Sequence, residues 1–142
     1  NSFQGSEMIK GISHVAYNVD DLEQSIEFYS EVLGFEKLFT MTDDNDNPVL
    51  VYLRVNQNQY IELFPSDNKD NSRHKQQIGY SHLCLEVEDI NKIANKMKAK
   101  GIELEVAPKL GGDGNYQCWI KDPDGNRIEF MQMMPDSLQN TN

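Results

Sequence analysis

The chain has 142 residues, a net charge of −10 at pH 7, 38% hydrophobic residues and two cysteines. This length is typical of one domain with a sizeable core. The acidic charge argues against nucleic acid and anionic membranes as partners, because both attract clustered Lys and Arg. The sequence contains neither an apolar run of membrane-spanning length nor a secretion signal, so we expect a cytoplasmic protein.

The predicted organisation is a single domain over residues 8–134. The opening letters NSFQGSE, residues 1–7, resemble the end of a protease-cleavable tag, so we do not expect them to belong to the fold. Module one covers residues 9–65, a polar linker follows at 66–78, and module two covers 79–134. Residues 135–142 are expected to form a C-terminal tail.

Module one is predicted to have the order β-α-β-β-β. Residues 12–19 alternate as a strand does, and Asp20 or Asp21 can cap a helix that ends at Gly34. Apolar residues at helical spacing support that helix: Leu22, Ile26, Tyr29 and Leu33. Three antiparallel strands are expected next, at 35–41, 49–55 and 60–64.

Module two repeats this order. A strand at 80–87 precedes a helix that starts at Asp89 and stops at Gly101. The remaining strands are predicted at 103–106, 116–120 and 127–133, with a tight turn, KDPDGN, between the last two. Cys84 and Cys118 fall in predicted strands, where we expect small buried residues rather than catalytic thiols.

The chain repeats itself. With a shift of 68 residues, GISHVAYNVDDL overlies GYSHLCLEVEDI, and His14 falls on His82. With a shift of 67, the Ile-Glu-apolar triplets coincide, and Glu62 falls on Glu129. A duplicated unit with the same two residue types at matching points predicts one shared site.

The residues His14, Glu62, His82 and Glu129 can together bind a divalent metal. Two imidazoles and two carboxylates suit Ni²⁺, Co²⁺, Zn²⁺, Fe²⁺ or Mn²⁺. A carboxylate flanked by apolar residues in a strand also needs a cation or hydrogen-bond donors. A single strand His is more often not a ligand, but the repeat favours the metal site for the set.

Four motifs in this order, HVAYNVDDLEQSIEFYSEVLGF, YIELF, GYSHLCLEV and KDPDGNRIEF, resemble the vicinal oxygen chelate superfamily. This is the glyoxalase, bleomycin-resistance and dioxygenase group, and the likeness runs from about residue 9 to 133. The resemblance implies an α+β fold of two tandem βαβββ modules that form a cupped mixed β-sheet around a metal-binding cleft. It also implies a homodimer with the site at the subunit interface.

The ligand order His, Glu, His, Glu is most similar to that of glyoxalase I, the lactoylglutathione lyase. That resemblance implies a metal-dependent isomerisation of a hemithioacetal, formed by a thiol and a 2-oxoaldehyde of the methylglyoxal type, through an enediolate. Glu129 matches the catalytic base, with Glu62 as its catalytic partner. One divalent metal per site is implied, Ni, Co or Zn before Fe or Mn.

Other positions depart from glyoxalase I. The Arg and Asn that bind glutathione carboxylates there are Asn18 and Ser66 here, which argues against glutathione as the thiol carrier. Asn18 and Glu86 each lie four residues beyond a ligand His, so both are candidate substrate contacts. Lys109 is a third candidate because it can supply positive charge, as can the linker residues Arg73, His74 and Lys75. Ordinary solvated surface charge is the alternative for these cations.

Two alternative functions remain open from the sequence. One is an epimerase or an extradiol dioxygenase of the same superfamily, although Glu62 would fill a position that O₂ needs. The other is a non-catalytic binding protein of the bleomycin-resistance type, against which the complete ligand set argues.

Overall fold

The computed structural model describes residues 8–72, 74 and 76–142, and the chain divides into two compact units, Asn1–Lys69 and Asp70–Asn142. Each unit contains its own four-stranded mixed sheet and few helices, so the predicted α+β class and two-module repeat are confirmed. The division falls inside the predicted linker, 66–78. The predicted tag remnant, residues 1–7, lies outside the described residues, and the domain boundaries stay predictions.

The first unit has the predicted β-α-β-β-β order. Its elements are β1 (His14–Val19), α1 (Leu22–Glu27) with a π-helical turn (Phe28–Val32), β2 (Glu36–Thr42), β3 (Pro48–Asn56) and β4 (Gln59–Pro65). The strands lie in the order β1-β4-β3-β2, with β1 parallel to β4 and the other pairs antiparallel. The helix begins after Asp21, whose carboxylate accepts a hydrogen bond from the backbone N–H of Gln24 at 3.1 Å.

The two faces of this first sheet differ in burial because side chains alternate along each strand. The face that packs toward α1 is apolar and buried, and its members are Tyr17, Val19, Val51, Leu53, Ile61 and Leu63. The alternate residues lie on the opposite, open face. His14 and Glu62 are among these open-face residues.

The second unit repeats the order and adds a short terminal helix. Its elements are β5 (Leu83–Glu86), α2 (Ile90–Ala99), β6 (Val106–Leu110), β7 (Tyr116–Lys121), β8 (Arg127–Gln132) and α3 (Leu138–Thr141). The strand order β5-β8-β7-β6 matches that of the first unit, and β5 is parallel to β8.

Two predicted strands of this unit have different bounds in the structure. The strand expected at 80–87 starts only at Leu83. Leu83 pairs with Ile128, the second residue of β8, and β8 itself begins at Arg127, directly after the turn. The strand expected at 103–106 is Val106–Leu110. Residues 102–105 instead connect α2 to the sheet, where the backbone N–H of Glu105 donates to the Trp119 carbonyl at 2.8 Å.

Helix α2 has a well-defined start and stop. The Asp89 carboxylate accepts hydrogen bonds from the backbone N–H groups of Asn91 and Lys92 at 3.0 and 3.1 Å. At the other end Gly101, at φ +76°, allows the Ile102 N–H to donate to the Met97 carbonyl at 2.9 Å. At ten residues α2 is too short to cross a membrane, and no other described helix is long and apolar enough.

The predicted C-terminal tail, 135–142, packs against the loop between β6 and β7. Buried Asn115 accepts a hydrogen bond from the Met134 N–H at 2.9 Å and donates one to Gln139 Oε1 at 2.9 Å. Gly114 has φ +87°, and a Cβ there would lie 3.1 Å from the Ser137 Cα. The close backbone approach therefore requires glycine.

Replacing Asp89 by Ala should lower the free energy of unfolding by about 1 kcal/mol, because two N–H groups at the start of α2 lose their acceptor. Urea titration followed by circular dichroism measures the change. Glu103→Ala is the matched control, since it removes the same charge from an exposed residue. Equal unfolding midpoints for the two variants would contradict the assigned cap.

Candidate metal and active site

The first half of the candidate site is a His14–Glu62 pair on the open face of the first sheet. The parallel register of β1 with β4 places Ala16 opposite Glu62, and His14 lies two residues earlier on the same face. His14 Nε2 is 2.7 Å from Glu62 Oε1, and the Glu62 side chain is only 13% exposed. A mostly covered carboxylate requires such a donor, because its water shell has been removed.

Tyr52 holds the other nitrogen of His14. Its hydroxyl oxygen lies 3.2 Å from His14 Nδ1, and on β3 it is the cross-strand neighbour of Glu62. Phe39 stacks on the Tyr52 ring at 4.9 Å, and Tyr60 contacts its edge at 5.9 Å. Desolvation and the neighbouring Glu62 and Tyr60 raise the pKa of Tyr52, so its hydroxyl stays protonated at neutral pH.

The second half is a His82–Glu129 pair in the second unit. His82 Nε2 lies 3.1 Å from Glu129 Oε1, and the Glu129 side chain is 14% exposed. The hydroxyl of Ser81 lies 3.0 Å from His82 Nδ1. Trp119 is the cross-strand neighbour of Glu129, and the centroid of its ring lies 4.6 Å from that of the His82 imidazole. The Arg127 guanidinium carbon lies 4.1 Å from the centroid of the same Trp119 ring.

We call His14, Glu62 and Tyr52 the first half-site, and His82, Glu129 and Ser81 the second half-site. Each half-site offers one imidazole nitrogen and one carboxylate oxygen, a donor set that fits a divalent cation. In each, a hydroxyl oxygen lies within hydrogen-bond distance of the other imidazole nitrogen, Nδ1. Among the described residues, no group of three or more His, Cys, Asp or Glu is close enough to hold a metal ion. The predicted four-ligand site therefore stays a prediction.

Cys84 differs from the expectation of a buried residue. It is exposed and lies opposite Glu129, because β5 pairs in parallel with β8 and strand alternation turns Cys84 to the side of His82. Partial desolvation, followed by the charge and hydrogen bonding of Glu129, raises the pKa of its thiol to about 12. Cys118 is buried, as expected, and burial raises its pKa to about 11.

The three predicted substrate contacts share the faces of the half-sites. Asn18 follows His14 and Ala16 by strand alternation and pairs with Phe64. In the second unit, Lys109 pairs with Gln117, which pairs with Met131, which in turn pairs with Glu86. Lys109 and Glu86 thus lie in one row, next to the row that contains Glu129.

The linker cations predicted to supply positive charge are Arg73, His74 and Lys75. Arg73 and Lys75 lie outside the described residues. His74 is exposed, and its backbone carbonyl accepts a hydrogen bond from the Gln77 N–H at 3.1 Å. Nothing in the described structure assigns a role to it.

Comparison with known proteins gives the family. Residues 11–130 match the model of the Glyoxalase/Bleomycin resistance protein/Dioxygenase superfamily. The chain belongs to this superfamily. The resemblance predicted from its motifs is thereby confirmed, and the match spans both units.

Named relatives in the superfamily include lactoylglutathione lyases. One from Arabidopsis thaliana is 34% identical over 128 residues, 86% of this chain and 44% of its own length. One from Haemophilus influenzae is 31% identical over 126 residues, 85% of this chain and 91% of its own length. The chain thus spans less than half of the plant relative and most of the bacterial one. A glyoxalase family protein from Enterococcus faecalis has the same fold, with a TM-score of 0.77, 29% identity, and coverage of 87% and 98% of the two chains.

Sequence reasoning missed Tyr52 and Ser81 as partners of the two candidate histidines. One signal was available for Tyr52: the shift of 67 that aligns the two glutamates also places it on Trp119, so an aromatic recurs beside each. Ser81 precedes its histidine directly, but so does Ser13. Sequence could not tell which serine contacts its ring.

The thiol of Cys84 should react slowly with a disulfide reagent at pH 8, because at a pKa near 12 almost none of it is thiolate. Glu129→Gln should speed the reaction several-fold by removing the adjacent negative charge. The measurement is the rate of thionitrobenzoate release from chelator-treated protein. Cys84→Ser gives the background from Cys118, and an unchanged rate in Glu129→Gln would contradict the assigned contact.

Proposed function

We propose that the chain is a divalent-metal-dependent lyase of the glyoxalase I type. It would convert the hemithioacetal of a thiol and a 2-oxoaldehyde, of the methylglyoxal type or a related substrate with vicinal oxygens, into a thioester of a 2-hydroxy acid. The observation that carries the proposal is that each unit pairs one imidazole with one mostly covered carboxylate, at 2.7 and 3.1 Å. Relatives named lactoylglutathione lyase support it.

Both half-sites supply the ligands of the proposed metal: His14, Glu62, His82 and Glu129. The proposed ion is Ni²⁺, Co²⁺ or Zn²⁺ before Fe²⁺ or Mn²⁺, because mixed nitrogen and oxygen sites favour such borderline cations. When bound, a divalent metal polarises substrate oxygens and acidifies the neighbouring carbon-bound proton. A carboxylate can then act as the base, although it is too weak for an unactivated carbon acid.

Glu129 is the proposed base and Glu62 its partner. Glu129 would accept the proton from the carbon that carries sulfur and return it to the neighbouring carbonyl carbon. The hydroxyl proton of the hemithioacetal passes to the former carbonyl oxygen, which completes the isomerisation. Each carboxylate contacts its histidine, but Glu129 has Cys84 as a further polar contact, whereas the strand neighbour of Glu62 is Ala16, which has no polar side chain. The two glutamates thus differ in restraint although they repeat in sequence.

The thiol carrier is proposed to be other than glutathione. Asn18 stands on the face of the first half-site, at the position where the resemblance to glyoxalase I implies an arginine. Its neutral amide cannot form a charge-assisted bond to a carboxylate. Ser66, at the end of β4, hydrogen-bonds to the Asn68 carbonyl at 2.9 Å. Glu86 adds negative charge, and Lys109 is the nearby cation proposed to bind the substrate.

The Glu129→Gln variant should lose at least about 100-fold in turnover, because it removes the base while keeping an oxygen ligand. Turnover is followed by thioester absorbance with methylglyoxal hemithioacetals of glutathione and of smaller thiols, and bound metal by elemental analysis. Glu103→Gln is the control for loss of an exposed carboxylate. Full activity in Glu129→Gln would contradict the proposal.

The metal found in the same analysis separates the alternatives. Stoichiometric Ni, Co or Zn that is lost in His14→Ala supports the lyase. Bound Fe with oxygen uptake on catechols would favour the dioxygenase, and no metal after reconstitution would favour a binding protein.

We further propose a homodimer in which each metal takes one half-site from each chain. Mixing His14→Ala with His82→Ala protein should then restore about a quarter of wild-type activity, because half the dimers are mixed and each mixed dimer regains one of two sites. Exchange under mild denaturant followed by the activity assay measures this. Restoration should be absent if both half-sites of one metal come from the same chain.

A further inference from the structure

We propose that hydroxyl groups from non-equivalent places in the repeat position the two histidines: Tyr52 positions His14, and Ser81 positions His82. This inference rests on the proposed metal site, because it assigns the residues that prepare the imidazoles to bind the ion. It goes beyond the ligand set, since neither hydroxyl is a ligand.

The location of the ring protons follows from the half-site distances. A carboxylate carries no proton, so Nε2 of each histidine must donate to its glutamate across the 2.7 and 3.1 Å contacts. In a neutral ring Nδ1 then has only a lone pair. Tyr52 and Ser81 therefore donate their hydroxyl protons to Nδ1, at 3.2 and 3.0 Å.

A hydroxyl also suits the other form of the ring. An imidazole that gives its Nε2 lone pair to a cation carries its proton on Nδ1, which must then find an acceptor. A hydroxyl oxygen both donates and accepts, so Tyr52 and Ser81 can hold either form without any movement of the backbone. A carboxylate in their place could only accept.

The repeat alone does not identify the partner of His14. The shift of 68 that aligns the histidines also aligns Ser13 with Ser81, so a serine directly precedes both rings. In the structure Tyr52 reaches His14 Nδ1 from β3. The residue equivalent to Tyr52 is Trp119, whose indole has no hydroxyl and packs against the His82 ring instead, 4.6 Å away. The second half-site thus needs its serine.

Because Tyr52 contacts His14 and Ser81 contacts His82, a matched set of variants can test each contact separately. Tyr52→Phe keeps the ring that stacks on Phe39 and removes only the hydroxyl. Ser81→Ala removes the hydroxyl from the second half-site. Ser13→Ala makes the same chemical change at the repeat-equivalent position and is the control.

The first readout is the ¹⁵N spectrum of the histidine rings in metal-free protein, assigned through His14→Gln and His82→Gln. We expect Tyr52→Phe to move the Nδ1 signal of His14 downfield and leave His82 unchanged, because an unbonded lone pair is deshielded. Ser81→Ala should do the reverse, and Ser13→Ala should move neither. A His14 signal that moves in Ser13→Ala but not in Tyr52→Phe would overturn the assignment.

The second readout is Zn²⁺ affinity, by competition with a chromogenic chelator. Loss of either positioning hydroxyl should weaken binding by about tenfold or more, the usual effect of removing a group that orients a ligand. Ser13→Ala should bind as the wild type does, and wild-type affinity in both Tyr52→Phe and Ser81→Ala would refute the positioning role. If the wild-type protein binds no Zn²⁺, the proposed function fails, whereas the ring spectra still decide which hydroxyl holds each histidine.

Discussion

The parallel pairing of the first and last strand in each unit is the constraint on which the candidate site depends. Between β1 and β4 the backbone register places Ala16 opposite Glu62, and between β5 and β8 it places Cys84 opposite Glu129. His14 precedes this point by two residues within β1, so strand alternation puts it on the face of Glu62. His82 lies directly before β5, and its Nε2 is 3.1 Å from Glu129 Oε1. A shift of one residue in either register would send the carboxylate into the apolar core and leave the imidazole without its partner.

The buried faces make that register hard to change. Behind the first half-site, Ile61 and Leu63 are almost fully buried, and behind the second, Ile128 and Phe130 are. Moving these side chains into water would cost about 1.5 to 3 kcal/mol each. The same apolar packing that stabilises each sheet thus fixes where the polar pair stands, and the helix on that side leaves the other face open.

The two half-sites have the same histidine–glutamate pair and different surroundings. The first is walled by aromatic rings, with Phe39, Tyr52 and Tyr60 in contact. The second is bordered by Trp119 and by charged groups, since Glu105 bonds both Lys121 and Arg127. Because folds of this kind carry many activities, such differences and not the fold decide the substrate.

Much of the architecture could be predicted from the sequence because its signals are local. The helix starts at Asp21 and Asp89 and the stop at Gly101 depend on neighbouring backbone groups, and they were confirmed with the two-module repeat. The internal repeat also identified the two histidines and the two glutamates as candidates for one site.

Only the tertiary structure determined which residues are partners across strands. The start of β5 at Leu83 and the position of β6 depend on where their neighbours begin, which local pattern does not encode. The exposure of Cys84 and the choice of Tyr52 rather than Ser13 beside His14 depend on register and side-chain reach. The sequence by itself therefore determined the repeated modules and the candidate ligands, whereas the folded sheets determined what holds each ligand, because those contacts join residues distant in the chain.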